Sequence, residues 1–221
     1  RGTGRAYGAI GNGQRAGEYR VRRNYCLLPI ARCLVPTLSR RLHLMTTTNP
    51  IVDITTPLGT ISVEIDAAHA PGTAANFLGY VDQGAYDGSR FYRTVTPDNQ
   101  PNDAIRIAVI QGGMASLDDY PRRDVPSVDL ERTSVTGLKH LDGTISMARM
   151  TPDSANSEFF ICVGDQPDLD FGGMRNPDGQ GFAAFGQVID GMDVVHAINV
   201  SPADEQHLDP PIEITSITRR G

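Results

Sequence analysis

The stretch "TPLGTISVEID", Thr56 to Asp66, carries the clearest alternation in the chain, with Ile61, Val63 and Ile65 on one face and Ser62 and Glu64 between them on the other. A period of two marks a half-buried strand, and Pro57 and Gly59 supply a turn ahead of it, so the run at 51–55 is expected to pair with 60–66 as a hairpin. Outward from that hairpin, 90–95, 105–111, 144–149, 158–163, 183–189 and 211–218 also read as strands. Helical period appears in two places. In "HAPGTAANFLGYVDQG" Ala74, Phe77, Leu78 and Val81 share a face, with Pro71 near the start and Gly84 after the end; in "DGMDVVHAIN" Met192, Val195 and Ile198 do so, with Asp190 as the expected N-cap. Two helices cannot cover both faces of so many strands. The expected fold is therefore mainly β: a closed eight-stranded antiparallel β-barrel capped by two α-helices, since closure removes the unpaired edges of an open sheet.

Charge divides the chain. Residues 1–44 hold nine arginines and one acid, Glu18, whereas 45–221 hold 11 basic and 25 acidic residues, a net charge of −14 with histidine neutral. So acidic a body lacks the basic face that phosphate neutralisation requires, which argues against a nucleic-acid partner. The first methionine is Met45, just ahead of the first strand. Segment 1–44 is accordingly expected to be an Arg-rich extension from a start placed too far upstream, or disordered, with 45–221 as the working domain; a targeting segment is the second reading, but its apolar part is broken by Arg32 and prolines. No uncharged apolar run approaches the roughly 18 residues of a membrane span. A cytoplasmic monomer without membrane contacts is the expectation.

Metal and nucleophile signals are weak. Cys26 and Cys33 lie in the extension, Cys162 stands alone in an apolar strand, and no histidine is spaced with another for metal binding. "GNGQRA", Gly11 to Ala16, imitates a dinucleotide fingerprint without its strand and helix, and the acids of "DLDFGGMRNPDGQG" lack the ligand pattern of a calcium loop.

More telling is "DGSRFYRTVTPDNQ", Asp87 to Gln100. Simple alternation points Phe91, Arg93 and Val95 to one face and Tyr92 and Thr94 to the other, setting an arginine among apolar residues. Arginine is rarely buried without partners, so it either snorkels at the rim or is held over a concave site.

Four further pieces follow in order: "VIQGG" at 109–113, "GTISMAR" at 143–149, "SEFFICV" at 157–163 and "FAAFGQVIDGMDVV" at 182–195. Together with "FYR" at 91–93 they resemble the cyclophilin family of peptidyl-prolyl cis-trans isomerases over about residues 50–218, and that family's fold is an eight-stranded barrel with two capping helices. The resemblance implies catalysis of X-Pro bond rotation in protein substrates, assistance to folding, and no cofactor. It implies Arg93 and Gln111 as the catalytic arginine and the glutamine that orients it. Phe160 then corresponds to the floor of the proline pocket, Val109 and Leu169 to its aliphatic wall, and Ala148 and Arg149 to the stretch that contacts the substrate backbone.

Some positions depart from the family pattern. The segment from Arg93 to Gln111 is longer than usual, Ala108 falls where an aromatic ring is common, Glu158 replaces a glutamine and Phe182 a histidine or tyrosine, both counted with the substrate-binding set. The chain has no tryptophan. A thinner pocket and weak binding of cyclosporin-type peptides are the expected consequences, and a proline-peptide binding module or chaperone with little turnover stays open as an alternative. A chain beginning at Met45 is expected to melt at the same temperature as the full chain. A drop of more than a few degrees would show that the first 44 residues stabilise the body.

Overall fold

The computed structural model describes residues 49–117 and 125–221; the segment 1–44 and its expected boundary at Met45 lie outside the described residues. Ten strands form one antiparallel sheet: β1 (Ile51–Thr56), β2 (Gly59–Ile65), β3 (Arg90–Val95), β4 (Val109–Gly113), β5 (Thr144–Met147), β6 (Phe159–Cys162), β7 (Ala183–Asp190), β8 (Ala203–Asp204), β9 (His207–Glu213) and β10 (Ser216–Arg219). Their order is β10, β1, β2, β7, β5, β6, β4, β3, β9, β8. The expected helices are α1 (Pro71–Asp82) and α3 (Met192–Asn199), with a single-turn α2 (Thr133–Thr136) between them in the chain. Among the described residues no helix is long and apolar enough to cross a membrane.

The fold is mainly β, as its alternation requires, and the hairpin of β1 and β2 forms in the expected register, with Ile54 opposite Ile61 and Val52 opposite Val63. The strand count differs from eight for local reasons. Strand 211–218 is two strands, because Ile214 and Thr215 leave the ladder: the Ile214 N–H donates to Ser89 O at 2.7 Å and the Thr215 N–H to Thr55 O at 2.8 Å. The chain thus passes in two residues from β9, beside β3, to β10, beside β1. Strand 105–111 instead begins at Val109, since the buried Gln100 side chain claims the backbone of Ile107, accepting its N–H at 3.3 Å and donating to its oxygen at 2.7 Å.

Face assignment in β3 also departs from simple alternation. The ladder shifts register between Phe91 and Arg93, so Phe91 enters the main core while Arg93 and Val95 turn to the other side and Thr94 reaches α3. A bulge inserts one residue and so reverses the parity of everything after it.

One core gathers apolar side chains from strands and helices, and Phe77 of α1 stands at its centre, 5.2–5.6 Å from the rings of Tyr86, Phe159 and Phe185. At the other helix Val194, Val195 and Ile198 are buried. Asp190 is not the N-cap of α3. Gly191 is, with φ of +89° and so little room that an added Cβ would strike Thr60 O; Asp190 only accepts the Gly191 N–H at 3.0 Å. A left-handed entry residue without a side chain is what this tight strand-to-helix turn requires.

Candidate active site

A smaller apolar cluster lies apart from the main core, made by Val95, Ile107, Val109, Phe160, Cys162 and Leu169 with Ala148 and Phe182 against it. Strand β6 supplies both: Phe159 packs in the main core and Phe160 in the smaller cluster, as adjacent residues of a strand must. Above this cluster opens a cavity of about 510 Å³. All nine residues expected from the sequence line it: Arg93, Gln111, Phe160, Val109, Leu169, Ala148, Arg149, Glu158 and Phe182.

Arg93 is held from two sides. Its Nη1 donates to Gln111 Oε1 at 2.8 Å, while Nε and Nη2 donate to Gln206 Oε1 at 3.0 and 2.6 Å. Pairing of β3 with β4 sets Arg93 opposite Gln111, and Gln206 sits in the turn between β8 and β9, where Glu205 has φ of +52°. Asn99 secures that turn, donating from Nδ2 to Thr94 O and Glu205 O, both at 3.0 Å, and Gln206 Nε2 donates to Asn99 O at 3.3 Å. Gln206 has no sequence signal. It is 113 positions from Arg93 and lies in a short irregular segment.

Gln111 is itself oriented. Its Nε2 donates to the Tyr92 hydroxyl at 2.8 Å, and that hydroxyl donates to Glu158 Oε2 at 2.7 Å. Glu158 Oε1 accepts the Ala115 N–H at 2.7 Å, so both oxygens of this cavity-lining carboxylate have partners within the protein. Burial first, then the neighbouring Glu158 carboxylate, pushes the Tyr92 phenol well above its ordinary pKa, which keeps it a neutral donor. Gly113 makes room for this arrangement: it has φ of +145°, and an added Cβ would fall 2.6 Å from Glu158 Oε1. Tyr92 was not among the expected residues, because simple alternation turns it away from Arg93.

Burial is also the main force lowering the Arg93 pKa, with the nearby Arg175 charge second. A guanidinium stays protonated regardless. Arg93 thus remains a partly buried cation whose hydrogen-bond partners are amide oxygens.

Phe160, expected at the floor of the pocket, lines the cavity and is braced by two rings: His140 lies nearly parallel at 6.0 Å and Phe182 edge-on at 5.5 Å. The buried His140 is fixed by Asp170 Oδ1, 2.8 Å from Nδ1, and Ser146 Oγ, 2.9 Å from Nε2. Burial works against the Asp170 carboxylate, but hydrogen bonds from the His140 ring and backbone N–H, with the His140 and Lys139 charges, outweigh it and hold its pKa below the usual value. Arg149 does not reach out toward a ligand. Its Nη atoms pair with Asp178 at 2.7 and 2.8 Å, its Nε donates to Gly181 O at 2.7 Å, and its Cζ lies 5.1 Å from the Phe182 ring centre. The Arg149 hydrogen bonds lead the forces that hold the Asp178 pKa down to about 2. At the wall, Ile107, the neighbour of Ala108, is buried and lines the cavity, whereas Ala108 does not line it.

The body is thus mainly β and carries a clamped arginine beside an apolar pocket. Residues 51–219 match the family model described as cyclophilin type peptidyl-prolyl cis-trans isomerase. A peptidyl-prolyl cis-trans isomerase of Streptomyces antibioticus is 34% identical over 73% of this chain and 92% of its own length. Peptidyl-prolyl cis-trans isomerase A of Dickeya dadantii is 38% identical over 69% of this chain and 73% of its own length, and isomerase B of Escherichia coli 32% over 72% and 93%. Among solved structures, a cyclophilin type isomerase of Cryptosporidium parvum superposes with a TM-score of 0.62 at 23% identity, covering 78% of this chain and 98% of that one, a likeness of fold. The chain belongs to the cyclophilin-type family and is by that membership a peptidyl-prolyl cis-trans isomerase.

Removing the Gln206 acceptor frees one side of the guanidinium. With hydrogen bonds to charged groups contributing about 1.5 to 3 kcal/mol, Gln206→Ala is expected to lower kcat/KM roughly 10- to 100-fold without moving the melting temperature more than a few degrees. Steady-state kinetics on an Ala-Pro peptide check this; a variant within twofold of the parent would show that Gln111 alone positions Arg93.

Proposed function

We propose that this cavity accelerates X-Pro bond rotation in flexible, proline-containing polypeptides, with Arg93 as the donor and Phe160, Val109, Leu169 and Ile107 as the seat of the proline ring. One observation carries the reading: of the five N–H donors of a guanidinium, three are committed to Gln111 and Gln206, and among the described residues one on each Nη atom has no partner. Rotation about the prolyl amide meets a barrier of about 18 to 20 kcal/mol because the nitrogen lone pair is delocalised into the carbonyl. A fixed donor beside that nitrogen favours the twisted form in which the lone pair is localised. A rate gain of about 10⁵ corresponds to a barrier lowered by about 7 kcal/mol, which a fixed charge and a fitted apolar seat supply together. No covalent bond is made or broken in this step, so the chemistry calls for no cofactor.

The supporting parts take defined roles in the same reading. Gln111 and Gln206 hold the guanidinium still, Glu158 anchors the chain through Tyr92, and Arg149 with Phe182 shapes the rim. Ala148 borders the cavity where a substrate backbone lies. The sheet is read as a barrel closed by the chain itself, since the two-residue link Ile214–Thr215 bonds to Ser89, just ahead of β3, and to Thr55 of β1, strands near the two ends of the strand order. Residues 45–221 act as the isomerase domain, and the Arg-rich segment 1–44 is outside it. The acidic body fits a cytoplasmic monomer that assists folding without nucleic-acid or membrane partners.

Arg93→Ala is expected to raise the barrier by about 2 to 4 kcal/mol, the cost of losing one preorganised donor, with unchanged circular dichroism. A protease-coupled assay reads it. Activity within twofold of the parent contradicts the assignment, and a parent that binds proline peptides without turning them over supports the binding-module alternative instead.

Cyclosporin-type cyclic peptides test the rim. The chain has no tryptophan; the rings that line the cavity are Tyr92, Phe160 and Phe182, and the Tyr92 hydroxyl is already bonded to Glu158, so none offers the free N–H of an indole. Loss of an indole's apolar area and donor removes roughly 2 to 4 kcal/mol, or roughly 30- to 1,000-fold in affinity. Inhibition of isomerase activity is expected at micromolar concentration; a low-nanomolar inhibition constant would contradict it.

A further inference from the structure

The cavity has two aliphatic walls on separate loops, Ile107 on 96–108 and Leu169 at the entry to 170–181, and one side chain joins those loops. Arg175 Nη1 donates to Ile105 O at 2.8 Å and lies 2.8 Å from Asp103 Oδ2. Its own backbone N–H donates to Asp168 O at 3.2 Å, next to Leu169. Inside the first loop, Gln100 fixes Ile107 by bonds to its N–H and oxygen, whereas residues 101–106 are half-buried or exposed and, apart from the Asp103 N–H to Gln100 O bond at 3.2 Å, have no comparable anchor among the described residues. The Arg175 side chain is 16% exposed and the Asp103 side chain 41%, so the pair is not a core element. An ion pair at that exposure adds little to global stability, and what it sets is local geometry.

We infer that Arg175 is a positioning residue for proline binding: by strapping the loop of Asp103 and Ile105 to the loop that follows Leu169, it sets the separation of Ile107 and Leu169 and so the width of the seat. This rests on the isomerase reading above. Arg175 also borders the cavity and its charge bears on Arg93, but Arg93 keeps its proton and its clamp on Gln111 and Gln206 without it, so the expected effect of removing Arg175 runs through Ile107 and loosens binding of the ring. Asp103→Asn disturbs less than loss of Arg175, because the bond to Ile105 O survives.

The test is a double-mutant cycle on the full chain with an Ala-Pro tetrapeptide. Arg175→Met and Ile107→Ala are each expected to raise KM roughly tenfold, the scale of one lost apolar contact in a pocket, with kcat within twofold. The double variant is expected to be no worse than Ile107→Ala, since the two changes remove one wall. Arg175→Lys, which keeps the charge and one bond, recovers part of the loss and serves where the methionine variant melts early. An unchanged KM, a fall in kcat at constant KM, or additive losses in the double variant overturn the inference. A parent without turnover contradicts the isomerase reading instead; the strap is then read from the Kd of the same peptide by calorimetry, where Arg175→Met weakens binding if the inference holds and leaves it unchanged if it does not.

Discussion

A partly buried guanidinium with no carboxylate paired to it among the described residues is the constraint around which this site is built. Moving a cation out of water is costly unless its donors are met, and pairing it with an acid would meet them while neutralising the charge. Arg93 takes a third course, bonding to the amide oxygens of Gln111 and Gln206. These acceptors fix the fork and leave its charge available. Much of the surrounding backbone serves that arrangement: the bulge in β3 turns Arg93 away from the core that receives Phe91, and the turn before β9 brings in Gln206.

The apolar half of the site depends on a different kind of fixing. Phe160 is a floor only because Phe159 on the same strand is locked among Phe77, Tyr86 and Phe91 in the main core. A buried His140, tied at both ring nitrogens, backs the Phe160 ring. Hydrogen-bonded groups stand behind both the donor and the floor, and such support holds first-contact residues within the narrow geometry that catalysis by fixed charge requires.

Much of this was legible in the chain. The hairpin at 51–66 and the helix beginning at Pro71 rest on periodicity, the site residues rest on the resemblance of the ordered pieces to the cyclophilin family, and all nine residues that the resemblance picked for the site line one cavity. What escaped was whatever a period cannot encode. A bulge reverses face parity without altering composition, so Tyr92 and Phe91 were each assigned to the wrong side. Gln206, Ile107 and Arg175 reach the site through loops whose folding is decided by single side chains such as Asn99 and Gln100. The last strand divides because Ile214 bonds to Ser89, ahead of β3, and Thr215 to Thr55 of β1, a choice that tertiary structure makes.

In the proposed mechanism Arg93 works as a fixed fork and not merely as a positive charge, and Arg93→Lys isolates that difference. Lysine keeps the charge but offers a compact ammonium on a flexible stem, unable to engage Gln111 and Gln206 together and still present two donors to a substrate. Measured as kcat/KM on an Ala-Pro peptide in a fully folded variant, Arg93→Lys is expected to lose roughly 100-fold or more, close to the loss from removing a preorganised donor outright. A lysine variant within a few-fold of the parent would show that charge alone suffices and that the two-glutamine clamp is not what makes the site work.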